Sequence, residues 1–117
     1  MFVSKVSDDQ LRAAYSGADL TVLPSFEEGF GLPIIESMAC GTPVACSDSA
    51  SLPEVGELAV EYFDAHDAES MASAIERVLL SSDRWRELQR LGLERAGCFT
   101  CEEFAQRHLV VYRRFLR

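Results

Sequence analysis

Apolar and polar positions alternate along this chain in two rhythms, and the switches between them mark its elements. In DDQLRAAYSGA, residues 8–18, Leu11, Ala14, Tyr15 and Ala18 share one face at helical spacing. Ser7 with Gln10 three residues on is a capping box for that helix. Gly17 weakens its last turn. DLTVLPS, residues 19–25, is rich in Thr, Val and Leu and closes on Pro24 and Ser25, which predicts a strand. A glycine turn follows. The next helix is expected over 32–40, with Pro33 at its start, where a missing N–H is harmless, and Gly41 as its stop. TPVACS, residues 42–47, is nearly all apolar, as suits a strand covered on both faces. SLPEVG predicts a short helical turn, and LAVEYF, residues 58–63, a third strand. A long helix is expected over 67–81, with Met71, Ile75, Val78 and Leu79 in phase. Another is expected over 83–96, with Trp85, Leu88 and Leu91. The last opens at Thr100, where Glu103 completes a second capping box, and carries Phe104, Leu109, Tyr112, Phe115 and Leu116. VSK, residues 3–5, is expected to be the stub of a further strand.

This strand–helix order predicts an α/β fold with a short parallel sheet of three to four strands, covered by five or six helices. The 117 residues suffice for a single domain, and a hydrophobic share of 48% can fill one core. With 11 Lys and Arg against 19 Asp and Glu, the net charge is −8, which argues against a nucleic-acid partner. The basic residues gather late, in DRWRELQRLGLER and VYRRFLR, and read as solvated helix faces. No apolar run approaches the roughly 18 residues of a membrane span. MFVSKVSDDQ lacks the apolar segment of a signal peptide, so a cytoplasmic location is expected. Cys40 and Cys46, in MACG and VACS, read as small core residues. Cys98 and Cys101 form a CxxC between two helical patterns, with no second ligand pair for zinc and no strand before it, and read as chance spacing. His66 reads as a helix-entry surface residue, His108 as a packing or surface residue.

The stretch EEGFGLPIIESMACGTPVACS carries the candidate chemistry. It leaves the carboxyl end of a predicted strand, where ligands bind in parallel sheets. The helix from Leu32 opens with free N–H groups at its positive dipole end, a natural anion site. Gly29 and Gly31 let the backbone approach a phosphate closely. Glu28 and Glu36 flank this turn with seven residues between them. Carboxylates only accept hydrogen bonds, so they suit vicinal hydroxyls. One could hold a sugar ring and the other a ribose, with a diphosphate between. Two plain surface acids would leave the same pattern, and the residues alone do not separate these readings. Asp48 and Ser49 follow the TPVACS strand at the same edge and are weaker candidates for donor contact; Glu54 reads as the cap of its helical turn.

PSFEEGFGLPIIESMACGTPVACS resembles the donor-site signature of the retaining GT-B glycosyltransferases of family 4, whose hallmark is a Glu–x7–Glu pair. VSDDQLRAAYSGADLTVLPS, SASLPEVG and FTCEEFAQRHLVVYRRFL extend the resemblance in order. It implies a partial Rossmann-like domain from the C-terminal half of a GT-B fold. It also implies a catalytic Glu28 beside the transferred sugar and a Glu36 on the nucleotide ribose. Backbone amides of Gly29, Phe30, Gly31 and Leu32 would meet the sugar and pyrophosphate, with Pro33 next to the nucleotide. The donor would be a nucleoside-diphosphate sugar, with no cofactor and no metal expected.

The sequence also departs from that family. A complete member has two such domains and roughly three times this length. The acceptor domain is missing here, as is the basic pair that neutralises the diphosphate, and Lys5 does not match it. In the family the final helix often crosses back to the other domain. The expectation is therefore a donor-binding fragment, inactive alone. Its expected partners are a nucleotide sugar and the missing N-terminal acceptor domain or a second chain, a second copy of this one included. The alternative is a non-catalytic interaction module or the trans-complementing half of a split enzyme. A receiver-like regulatory domain would need clustered acids at strand ends and a late lysine, and neither is found.

Overall fold

The computed structural model describes residues 2–115, excepting the side chains of Phe104, Tyr112 and Phe115; Leu116, expected in the last helical face, lies outside the described residues. In chain order the elements are α1 (Asp8–Gly17), β1 (Thr21–Leu23), α2 (Leu32–Ala39), β2 (Val44–Ser47), α3 (Leu52–Gly56), β3 (Glu61–Phe63), α4 (Ala68–Leu79), α5 (Ser82–Ala96) and α6 (Cys101–Phe115). The three strands pair in parallel in the order β1-β2-β3. Thr21 aligns with Val44 and Leu23 with Cys46; on the other side Ala45 aligns with Glu61 and Ser47 with Phe63. This is the α/β arrangement expected from the alternating pattern.

Both faces of β2 are covered, which explains its unbroken apolar sequence. Val44 and Cys46 point to one side, into a cluster with Ile34 and Met38 of α2, Leu52 and Val55 of α3, and Val60. Leu91 and Ala96 of α5 close that side, with Phe99 beyond them. Ala45 points to the other side and meets Phe63 and Ala74 of α4, backed by Leu20, Val22 and Met71. Gly92 lets α5 approach α2 closely: a methyl group there would lie 3.1 Å from Met38 Cγ.

Helix starts follow the sequence rules. The Ser7–Gln10 box forms in full. Asp67 caps α4 through the N–H groups of Glu69 and Ser70, and Ser81 caps α5 through that of Arg84. At α6 only the hydroxyl half of the expected box is made: Thr100 accepts from the N–H of Glu103, while the Glu103 carboxylate turns to Arg107.

Other expectations are corrected. VSK is not a strand; Lys5 adopts a left-handed φ of 57°, which breaks an extended run. The third strand begins later than Leu58, because the Ala59 N–H closes a turn onto Gly56 O and leaves Leu58 exposed. Ala14 and Leu79 are exposed despite their helical phase, and α1 buries no residue at all. Cys40 is only half-buried, whereas Cys46 is fully buried. Glu54 supplies no cap, since α3 has no side-chain cap bond.

The basic residues of α5 are more than a solvated face. Arg84 donates to Glu61 at 2.8 Å, and Arg77 of α4 donates to the same carboxylate at 2.7 Å. Arg95 donates to the carbonyls of Val55 and Glu54, pairs with Glu57 at 3.1 Å, and lies over the Phe99 ring. Trp85, half-buried, donates its indole N–H to the Asp19 carbonyl at 2.6 Å, tying α5 to the entry of β1.

Candidate functional site

The turn between β1 and α2 lies at the carboxyl end of β1. It is held by serines from three places. Ser47, the last residue of β2, donates its hydroxyl to the Ser25 carbonyl. Ser25 in turn donates to Glu28 Oε1 at 2.7 Å. Ser51, just before α3, donates to the Glu28 carbonyl at 3.1 Å, with a longer contact to that of Gly29. Glu28 is half-buried within this net. An exposed loop acid would normally wander among rotamers; this one has its backbone and one carboxylate oxygen fixed.

Gly31 is the N-cap of α2, in a left-handed conformation with φ 78°. It is buried, and an added Cβ would meet Leu52 Cδ2 at 2.9 Å. Its glycine identity therefore has a structural cause. Gly29 differs: it is exposed, with no positive φ, and nothing lies within 4 Å of where its Cβ would point. Leu32 and Phe30 are also exposed, and Pro33 is half-buried at the helix start. Among the described residues, none accepts a hydrogen bond from the N–H groups of Phe30, Gly31 or Leu32. The turn thus presents backbone donors at a helix start, beside open space at Gly29.

Glu36 lies one turn into α2 and is exposed. Its Oε2 accepts a hydrogen bond from the Tyr15 phenol of α1 at 3.0 Å. Burial first, then the Glu36 carboxylate, pushes the Tyr15 phenol up to about 12. The phenol is therefore protonated at neutral pH and acts as the donor. Thr42 donates to the Tyr15 carbonyl at 2.6 Å and fixes the backbone of that residue.

The two candidate glutamates are therefore each held by a neighbouring hydroxyl, from Ser25 and Tyr15. Sequence reading placed Tyr15 on the core face of α1 and did not single out Ser25 or Ser51 as functional. The first departs from a strict core role; the others carry no local signal beyond turn composition.

The remaining candidates lie around this edge. Asp48 is exposed, and its N–H is spent on the Phe63 carbonyl; Ser49 is half-buried and its carbonyl accepts from Leu52. His66 rests against Phe26 with ring centroids 4.8 Å apart, so it faces the segment leading to Glu28. Phe30 meets Phe99 edge-on at 6.1 Å. Lys5 is exposed. Cys98 and Cys101 are both free and exposed. Among the described residues no group of three or more His, Cys, Asp or Glu could hold a metal ion, and no helix is long and apolar enough to cross a membrane.

Comparison with known proteins bears on the same segment. Residues 1–93 match the family described as Glycosyl transferases group 1. The O-antigen chain mannosyltransferase B of Escherichia coli is 39% identical over 113 residues, which take in 96% of this chain and 29% of that one. The MMP alpha-(1->4)-mannosyltransferase of Mycolicibacterium hassiacum is 41% identical over 93 residues, 76% of this chain and 22% of its own. Among solved structures, a sucrose-phosphate synthase from Thermosynechococcus elongatus superposes with a TM-score of 0.86 at 36% identity, over 98% of this chain and 30% of that one. The chain spans 30% or less of the length of each of these proteins.

Proposed function

The chain belongs to the group 1 glycosyl transferases, and from that premise we propose that it is the donor-binding part of a retaining glycosyltransferase. The ligand is a nucleoside-diphosphate sugar at the β1–α2 turn. The observation that carries this reading is the pairing of free backbone N–H groups over Phe30–Leu32 with open space at Gly29, between two held glutamates. Glycine at position 29 answers to no packing or φ requirement, so a ligand approaching the backbone gives it a reason.

In this reading the N–H groups and the helix dipole face the pyrophosphate. Glu36 accepts from the ribose hydroxyls and Glu28 lies beside the transferred sugar. The reaction breaks the bond from the anomeric carbon to the diphosphate oxygen and forms one to an acceptor oxygen on the same face. The proton of the acceptor hydroxyl passes to the departing nucleoside diphosphate. Donors already oriented at the leaving oxygens stabilise the charge that develops there.

Residues 25–36 contain three glutamates and no Lys or Arg. The turn itself therefore supplies no cation for the diphosphate. Arg95, which reaches the neighbouring Phe99, has its guanidinium engaged by Glu54, Val55 and Glu57. These 117 residues alone would bind the donor weakly and would not turn over; the acceptor half and further cations lie outside them. Exposed Leu109, Val110 and Val111 on α6, with Phe30 and Leu32, favour a partner surface as the second reading.

The test is thermal unfolding against millimolar UDP, GDP, ADP and their sugars, a mannosyl donor first because two relatives are named as mannosyltransferases. Binding at a hundred times Kd stabilises by about 2.7 kcal/mol. One nucleotide should raise the midpoint, and Glu36→Ala should lose the rise. A cooperative transition that no nucleotide shifts would favour the partner-surface reading.

A further inference from the structure

Glu36 is an exposed helix-surface glutamate, a side chain normally free to sample many rotamers. It is not free here. The Tyr15 phenol reaches it from a helix 21 residues earlier in the chain. That reach has an anchor besides packing, because α1 buries no residue fully. The anchor is Thr42, whose hydroxyl bonds the Tyr15 carbonyl. Thr42 is itself buried, its N–H bonded to the Ser37 carbonyl and its own carbonyl accepting from the Ser37 hydroxyl. Ser37 adjoins Glu36 on α2, and its hydroxyl accepts from that of Thr21 of β1 at 2.8 Å. The backbones of Tyr15 and Glu36 are thus tied to one buried hydroxyl cluster, and their side chains close the loop outside it.

We propose that Tyr15 is a positioning residue that holds the Glu36 carboxylate in the orientation from which it reads the vicinal hydroxyls of a ribose. The proposal rests on the donor-site reading above. A phenol on Oε2 fixes the carboxylate plane and leaves Oε1, with a remaining lone pair of Oε2, to accept from two adjacent hydroxyls. Without it the carboxylate must be ordered at the moment of binding, and affinity falls by that ordering cost. The ligand class so favoured is a ribonucleoside diphosphate over one whose sugar lacks the hydroxyl pair.

A merely structural tether between α1 and α2 would behave differently, and ligand chemistry separates the two. The experiment uses the whole chain and its Tyr15→Phe variant, titrated calorimetrically with UDP, GDP and ADP and with the 2′,3′-dideoxy form of whichever binds. The variant keeps the ring and should melt within about 3 °C of the parent, since only an exposed hydrogen bond is lost. Its affinity for the ribonucleotide should fall about five- to ten-fold, while its affinity for the dideoxy form should match the parent's. In the free protein, the Tyr15 phenol should titrate lower in Glu36→Gln than in the parent, as followed by carbon NMR of the ring. An unchanged ribonucleotide affinity, an equal loss for both nucleotides, or an unmoved phenol titration overturns the role of Tyr15 and leaves the donor site standing. A parent chain that binds none of the three nucleotides overturns the donor site and the role of Tyr15 with it.

Discussion

Gly29 and Gly31 are two residues apart, and the structure gives them opposite reasons to be glycine. Gly31→Ala puts an L side chain at φ 78°, which costs about 1–2 kcal/mol. The new methyl also lies 2.9 Å from Leu52 Cδ2. Leu52 is fully buried, so it has little room to swing aside, and the overlap adds about 1 kcal/mol. The sum is about 2–3 kcal/mol, a fall in melting temperature of about 6–15 °C for a chain of this size. Gly29→Ala meets nothing within 4 Å and needs no positive φ, so its stability should change by less than about 0.5 kcal/mol. Urea unfolding followed by Trp85 fluorescence measures both, with matched m-values as the check that only stability moved. If the donor reading holds, Gly29→Ala should nevertheless impair nucleotide-sugar binding, because its methyl fills the space facing the ligand. A Gly31→Ala loss below about 0.5 kcal/mol would refute the packing argument. A Gly29→Ala loss as large as that of Gly31→Ala would refute the distinction between them.

Three further outcomes are expected. Burial alone would raise the Glu61 carboxyl, but hydrogen bonds from Arg77 and Arg84 outweigh it and hold it below the usual carboxylate range. A depressed carboxyl stabilises the fold above its unfolded value and loses that contribution as pH falls through its folded value. Urea midpoints should therefore drop on acidification below about pH 4.5, and Glu61→Gln should reduce that drop while costing about 1–2 kcal/mol at pH 7; an unchanged acid profile would contradict the assignment. Cys98 and Cys101 are exposed and should react promptly with a thiol reagent in the folded chain. Cys46, pushed up to about 12 by burial and by Asp48, should react only on unfolding, and its prompt labelling in the folded chain would contradict the placement of β2. Leu88 is fully buried, so Leu88→Ala should cost about 2–4 kcal/mol by urea unfolding; a loss under about 1 kcal/mol would mean that α5 is not packed as described.

Local chemistry was readable from the sequence, and contacts between distant elements were not. The Ser7–Gln10 box, the Pro33 start and the unbroken apolar run of β2 each follow from neighbours within a few residues. The β1–α2 turn was readable for the same reason, since a helix start supplies its own backbone donors. Helical phase failed at Ala14 and Leu79, because periodicity marks a face without saying whether anything covers it. The α5 arginines read locally as a solvated face, because the partners Glu61 and Val55 lie 23 and 40 residues away. The hydroxyls that hold the two glutamates leave no local signal for the same cause. Ser51 reaches Glu28 across 23 residues and Tyr15 reaches Glu36 across 21.

The charge around the turn decides how binding responds to salt. Ser25 and Tyr15 hold their glutamates by donating to carboxylate oxygens. Residues 25–36 carry three glutamates and no Lys or Arg, within a chain of net charge −8. A diphosphate bound here sits between like charges, offset only by backbone N–H groups and a helix dipole. Salt screens the exposed repulsion more than it weakens short, oriented hydrogen bonds. Binding of a nucleoside diphosphate to this chain should therefore hold steady or strengthen between 50 and 300 mM salt (an on-the-order-of ten-angstrom screening length at the low end of that range). Cation-driven phosphate sites show the opposite trend. A steep loss of affinity with salt in calorimetric titration would mean that some Lys or Arg of this chain reaches the ligand, and would overturn the view that backbone N–H groups alone hold the diphosphate.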